Sequence, residues 1–114
     1  MGQRRALREI KRFEVYWAAL DPALGFEMQK TRPCVVLTNN IMNELLETIV
    51  IAPITSTRRQ LPFRLPVKLN GKDGEIALDQ MRAVDKSRLG KRMTIIEGKA
   101  EQKILEILAE MFAA

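Results

Sequence analysis

The chain has 114 residues, 46% hydrophobic and 29% charged, with a formal net charge of +5, a balance that specifies one globular domain and excludes a disordered or low-complexity protein. At this length a chain buries roughly 65% of its unfolded surface, enough for one core. There is no histidine and one cysteine, Cys34; intramolecular disulfides, His/Cys zinc sites, Ser-His-Asp triads and Cys-His dyads are therefore excluded, leaving carboxylates, Arg, Lys, hydroxyls and Tyr16 for any catalysis.

Residues 1–12 carry Arg4, Arg5, Arg8, Lys11 and Arg12 against Glu9 alone. They read as a frayed basic tail, with a helix through Leu7 and Ile10 as the other reading. No apolar stretch follows these charges, so no signal peptide is expected. The longest apolar run, 49–54, is far short of the ~20 residues of a membrane span. A lone cysteine suits a reducing compartment, and the expectation is a soluble, cytoplasmic protein with no membrane association.

Phe13, Val15, Trp17 and Ala19 alternate with Glu14 and Tyr16, the period of a half-buried strand, which Asp21-Pro22 ends. A loop with Pro22 and Gly25 leads to 33–38, a strand buried on both faces. Residues 39–46 suit a short helix, and 48–54 form a third apolar run closed by Pro53. Phe63, Leu65, Val67 and Leu69 mark a fourth strand, and Pro66 makes it an edge or bulged one. Residues 70–74 compose a turn, and 75–84 a further strand pair or one bent strand. The period then changes: Ile104, Ile107, Leu108, Met111 and Phe112 recur at helical spacing opposite Glu101, Gln102, Glu106 and Glu110. Leu105 widens this stripe, which suits a helix covering the open end of a sheet. Five or six short strands and one C-terminal helix give a mainly β fold, a small, strongly curved β-barrel over residues 13–114.

Positive charge is uneven beyond the tail. Residues 56–72 hold Arg58, Arg59, Arg64, Lys68 and Lys72 with no acid, and 82–92 hold Arg82, Lys86, Arg88, Lys91 and Arg92 against Asp85. Cations clustered in loops between strands are the footprint of a polyanion partner; a merely solvated surface is the competing reading.

Three blocks carry a resemblance. Residues 14–39 run Glu-Val-Tyr-Trp, Leu-Asp-Pro, then Gly-Phe-Glu-Met-Gln-Lys-Thr-Arg-Pro-Cys-Val-Val-Leu-Thr-Asn; next come Pro-Ile-Thr-Ser at 53–56 and Leu-Pro-Phe at 61–63, and last Ala-Leu-Asp-Gln-Met-Arg-Ala-Val-Asp-Lys-Ser-Arg-Leu at 77–89. In this order and spacing, across residues 13–112, the chain resembles the MazF/PemK family of toxin endoribonucleases. The resemblance implies an SH3-like barrel, a homodimer, sequence-selective cleavage of single-stranded RNA without metal or other cofactor, and a cognate antitoxin. RNA supplies its own nucleophile, the 2′-OH. The protein must then supply only a base, cations or hydroxyls around one phosphate, and an acid for the leaving oxygen.

Arg32, just before Pro33, presents a guanidinium fork to a phosphate, or as a surface arginine pairs with Glu27 or Asp21; the resemblance favours the first. Thr55, with Ser56, either donates to a nonbridging oxygen or caps the strand end, and the resemblance again favours the site. Glu27 is the third catalytic candidate, as general base or as the group that holds Arg32. Phe26 either stacks on an unpaired base or covers a dimer interface. Arg58, Arg59 and Arg64 would steer RNA, with Gln80 and Arg82 along its path, while Lys86, Arg88, Lys91 and Arg92 would meet RNA or an acidic antitoxin. Asp79 is either an active-site acid or bonded to a loop backbone. The chain departs from the PemK branch twice: Ala77 stands for an arginine and Phe26 for a histidine, so that branch's acid/base pair is not available.

Two other readings are a noncatalytic RNA- or antitoxin-binding module and a gyrase poison of the CcdB type. The latter acts through a C-terminal Trp-Gly-Ile, whereas this chain ends Met111-Phe112-Ala113-Ala114.

Overall fold

A computed structural model of the protein describes residues 9–114. Residues 1–8 of the basic tail lie outside the described residues. The domain boundary expected at Phe13 falls within packed structure, because Ile10 is buried in the core and the Arg12 N–H donates to Asn40 Oδ1 at 2.8 Å.

The chain runs β1 (Glu14–Ala19), β2 (Thr31–Val36), α1 (Asn40–Leu45), β3 (Thr48–Thr55), β4 (Arg64–Leu69), β5 (Lys72–Ala77), a 3-10 turn (Leu78–Gln80), β6 (Arg82–Asp85), a second 3-10 turn (Lys86–Arg88), β7 (Leu89–Ile95) and α2 (Lys99–Met111). Seven strands form one antiparallel sheet in the order β4-β5-β3-β2-β1-β7, with β6 also paired to β3. The sheet curls into a half-barrel, as the turn-rich run of short strands predicts. β4 lies at one edge, where Pro66 costs no ladder bond.

β3 is the spine. On one side it pairs with β2 (Cys34↔Pro53 to Val36↔Ile51); on the other its first half pairs with β6 and its last residues, Ile54 and Thr55, with β5. Pro53 does not close this strand, since it sits inside it, opposite Cys34.

The half-buried assignment of β1 needs correction. Val15 packs on one side of the sheet with Phe13, Val35, Ala52, Ile54, Ile76, Leu78 and Ile104; Tyr16 and Ala18 pack on the other with Cys34, Val36, Ile49, Ile51, Val84 and Leu89. A curled sheet covered on both faces buries both registers of its central strands. Trp17 and Ala19, expected inside, are exposed. The inward Glu14 is satisfied by the Lys11 N–H at 2.7 Å, the Tyr16 hydroxyl at 2.8 Å and Arg92 Nε at 2.7 Å.

β7 is the strand that the sequence pattern conceals. Its charged residues, Lys91 and Arg92, are the kind found on edge strands, where they discourage further pairing. The turn expected over 70–74 is tighter: Leu69 pairs with Lys72, leaving Asn70 (φ 51°) and Gly71 (φ 79°) as a two-residue hairpin loop. α1 is capped by the Asn39 side chain, which accepts the Met42 N–H at 2.9 Å. α2 covers one cluster through fully buried Ile104, with Ile107, Leu108 and Met111 beside it. Among the described residues no helix is long and apolar enough to cross a membrane.

Candidate active site

Where β3 leaves β2 to pair with β5, the sheet opens into a cleft of about 470 Å³. Extending the β2–β3 register past its last pair, Cys34↔Pro53, sets Arg32 across from Thr55 on one face of the sheet. Both line the cleft with Ser56, Lys30 and Lys72, a mainly cationic and hydroxyl-bearing set in which Asp73 is the one acid. Trp17, Pro33, Ile54, Leu69 and Met93 supply an apolar wall. Trp17 is 40% exposed and pairs with Pro33 across the β1–β2 ladder, so its misassigned side chain forms part of the site.

Arg32 is steadied by its Nε donating to the Gln29 carbonyl at 3.1 Å, which leaves its terminal nitrogens for a ligand. The Thr55 hydroxyl accepts the Thr57 N–H at 3.1 Å while keeping its own proton to donate.

Glu27 is not in this cleft. It lines a neighbouring pocket of about 200 Å³ with Asp79, Gln80, Arg82, Met28 and Pro53; Pro53 stands two residues before Thr55 on β3. Its Oε1 accepts the Leu24 N–H at 2.7 Å and its own N–H donates to the Leu24 carbonyl at 3.0 Å, closing a turn that leaves Phe26 fully exposed. Phe26 lines neither hollow. Gln80 Oε1 accepts the Met28 N–H at 3.1 Å and Arg82 Nη1 donates to the Leu20 carbonyl at 3.0 Å, so both tie the 20–28 loop to the sheet. The buried Cys34 thiol donates to the Arg32 carbonyl at 3.5 Å; burial pushes it up to about 12, an effect that Arg32 and Arg82 oppose.

Asp79 is held chiefly by a side chain: Arg64 holds both its oxygens, one at 2.9 Å through Nη2, and a backbone N–H adds to them. Burial would raise the Asp79 carboxyl, but the Arg64 bonds outweigh it and hold it below its ordinary value. Arg64 stands directly across the β4–β5 ladder from Ala77. The guanidinium absent at 77 thus arrives beside Asp79 from the next strand. With its side chain only 4% exposed, Arg64 cannot steer a ligand in solvent.

The 82–92 cations also need revision, because most are engaged within the chain. Lys86 Nζ donates to the Asn43 carbonyl, Arg88 Nη1 to Ala19 and Asp21 carbonyls, and Arg92 to Glu14, while Lys91 is exposed. Arg58 and Arg59 lie on the exposed 56–60 segment beside the cleft. Arg58 Nε is 3.8 Å from Glu75, a buried acid that sequence reasoning passed over. Its place directly before the apolar run Ile76-Ala77-Leu78 was the available signal, since an acid drawn into such a strand is a buried charge that demands partners. Among the described residues no group of three or more Cys, Asp or Glu is arranged to hold a metal ion.

A family model described as PemK-like, MazF-like toxin of type II toxin-antitoxin system matches residues 11–112. The chain is 32% identical over 105 residues to endoribonuclease EndoA of Bacillus subtilis, covering 87% of this chain and 90% of that protein. Its fold is similar to that of MazF from Deinococcus radiodurans (TM-score 0.79, 22% identity, 91% of this chain and 96% of that one). It is also similar to a chain of the MazE-MazF structure from the same organism (TM-score 0.75, 17% identity, 93% and 97%).

Proposed function

The chain belongs to the PemK-like, MazF-like toxins of type II toxin-antitoxin systems and is an endoribonuclease, and from this premise we propose that it cuts single-stranded RNA, mRNA above all, in the cleft of Arg32 and Thr55. The observation that carries this is that Arg32, Thr55, Ser56, Lys30 and Lys72 line one hollow large enough for a nucleotide.

A phosphodiester seated there places its nonbridging oxygens against the Arg32 fork and the Thr55 hydroxyl. The 2′-OH of the preceding ribose attacks the phosphorus, and Glu27, in the adjoining pocket, takes its proton. Arg32 and Thr55 stabilise the pentacoordinate phosphorane; the P–O5′ bond breaks as the proton taken up by Glu27 is handed to the leaving oxygen, giving a 2′,3′-cyclic phosphate and a 5′-OH. Because RNA supplies the nucleophile, the reaction needs no metal. Ser56, Arg58 and Arg59 follow the backbone on one side. Gln80 and Arg82 line the pocket on the other, with Asp79 acting there as the partner of Arg64, and Phe26 stacks on an unpaired base.

The resemblance to a MazF solved with MazE supports an antitoxin partner for this chain. The exposed cations Arg58, Arg59 and Lys91 specify its chemistry: an acidic, apolar segment that competes with RNA for the same groove in the cytoplasm. The catalytic unit is a homodimer, which sedimentation at about twice the mass of one chain would establish.

The test is incubation of a long single-stranded RNA with the protein in EDTA. Discrete fragments ending in 2′,3′-cyclic phosphates are expected. Intact RNA would leave a noncatalytic binding module.

A further inference from the structure

Glu75 has no solvent exposure, a costly position for a carboxylate unless bonds surround it. Its Oε1 accepts the Arg59 N–H at 3.0 Å and its Oε2 the Gln60 N–H at 2.8 Å; Arg64 Nη1 lies at 3.6 Å and Arg58 Nε at 3.8 Å. Neutralising Arg64 does not account for this residue, because Asp79 already binds that guanidinium through both its oxygens. What Glu75 alone does is hold two backbone amides of an exposed segment. That segment follows Thr55, the buried cross-strand partner of Glu75, and carries Ser56, Arg58 and Arg59 before the chain re-enters the sheet at Arg64. Gln60 adopts φ +57°, a conformation that a residue with a Cβ disfavours, and its N–H bond to Glu75 holds it there.

We propose that Glu75 is a positioning residue for RNA cleavage: by clamping the Arg59 and Gln60 amides it fixes the 56–60 segment, with its two arginines, at the edge of the cleft. The proposal rests on the reading that this cleft receives RNA. Glu75 touches no substrate. Its removal should therefore weaken capture of RNA far more than the chemical step.

The experiment compares folded wild-type protein with Glu75→Gln, which keeps the shape but removes the charge and one amide acceptor. Trypsin cleaves after Arg58 and Arg59, so native-state digestion reads the clamp without any RNA; cutting there should accelerate about tenfold or more in the variant. With an RNA substrate, KM should rise about fivefold or more and kcat should stay within about twofold. Ile104→Val, in the core beneath α2, is the control for general destabilisation and should change neither. Glu75→Asp, which keeps the charge but falls short of the amides, should behave like Glu75→Gln. Should both variants fail to fold, hydrogen exchange on the wild type decides: the Arg59 and Gln60 amides should be protected, and exchange at the rate of an unstructured peptide would overturn the clamp. Unchanged trypsin protection in a folded variant would also overturn it, and faster digestion with unchanged KM would overturn the role in RNA cleavage. If the wild type itself cuts no RNA, the reading of the cleft fails instead, while the digestion result still judges the clamp.

Discussion

Arg32 and Thr55 share one face of the sheet at the point where their strands part, one step of the register beyond the last paired residues on that face, Cys34 and Pro53. That arrangement is a product of β3 changing partners. Had β3 stayed paired with β2 through Thr55, the gap would close and the arginine would lie flat along a continuous ladder. The cleft is thus a topological feature, and substitutions that disturb the β3–β5 junction should act on activity even without touching a ligand.

Gly74→Ala tests that statement. A Cβ at Gly74 would lie 2.8 Å from the Thr55 carbonyl oxygen, a backbone atom that cannot swing away. The expected cost is about 1–3 kcal/mol of stability from overpacking, with RNA cleavage reduced further than unfolding explains because Thr55 is displaced. Thermal melts and initial rates measured well below the melting temperature would check it; wild-type stability and activity would contradict it.

Acid sensitivity follows from three buried or part-buried carboxyls. Burial would raise Glu14, but the Lys11 N–H, Arg92 and the Tyr16 hydroxyl hold it below its ordinary 4.5. Glu75 is likewise lowered against its burial by the Arg59 and Gln60 amides and by Arg64 and Arg58, and Asp79 is lowered by Arg64. A group whose folded-state value is depressed adds stability that is fully present above its unfolded value and is lost as the pH falls through the folded value. The melting temperature should therefore be flat from pH 7 to about 5 and fall below about 4.5. Glu14→Gln should cost about 1–2 kcal/mol at pH 7 and make the acid limb shallower, with Glu75 and Asp79 supplying what remains.

Much of the architecture was legible in the chain itself. The apolar, β-branched runs at 33–38 and 48–54 mark central strands, and helical spacing marks α2, because burial on a defined face writes its period into the sequence. β7 and Trp17 were not legible for the same reason. An edge strand with a solvated face shows no apolar run, and a strand buried on both faces carries no alternation that could single out one exposed aromatic. The site divided along similar lines. Arg32, Thr55 and Ser56 came from a resemblance in motif, and the fold brings them together; Glu27 and Phe26 stand outside their cleft. The roles of Arg64, Lys86, Arg88 and Arg92 depend on carbonyls and carboxylates distant in sequence, and no local pattern records such a pairing.

Charge reversal at Arg58 and Arg59 to glutamate should weaken both RNA and an acidic antitoxin segment, since both would use these exposed cations. Screening, with a Debye length of ~8 Å at physiological salt, should make both affinities fall as salt rises, RNA more steeply because the peptide keeps apolar contacts. Titrations of each ligand across a salt series would show it. Loss of RNA cleavage with unchanged peptide affinity would rule out the shared groove and place inhibition at the loop that carries Glu27.

The most direct test of the central claim is single-turnover cleavage of one RNA by wild-type protein, Arg32→Ala and Thr55→Ala at matched fold and concentration. Each variant should keep the wild-type circular dichroism spectrum and lose about 100- to 1000-fold in rate, or roughly 3–4 kcal/mol, the loss expected when one transition-state donor is removed. A folded Arg32→Ala or Thr55→Ala protein that cuts at the wild-type rate would contradict the account and move the chemistry out of this cleft.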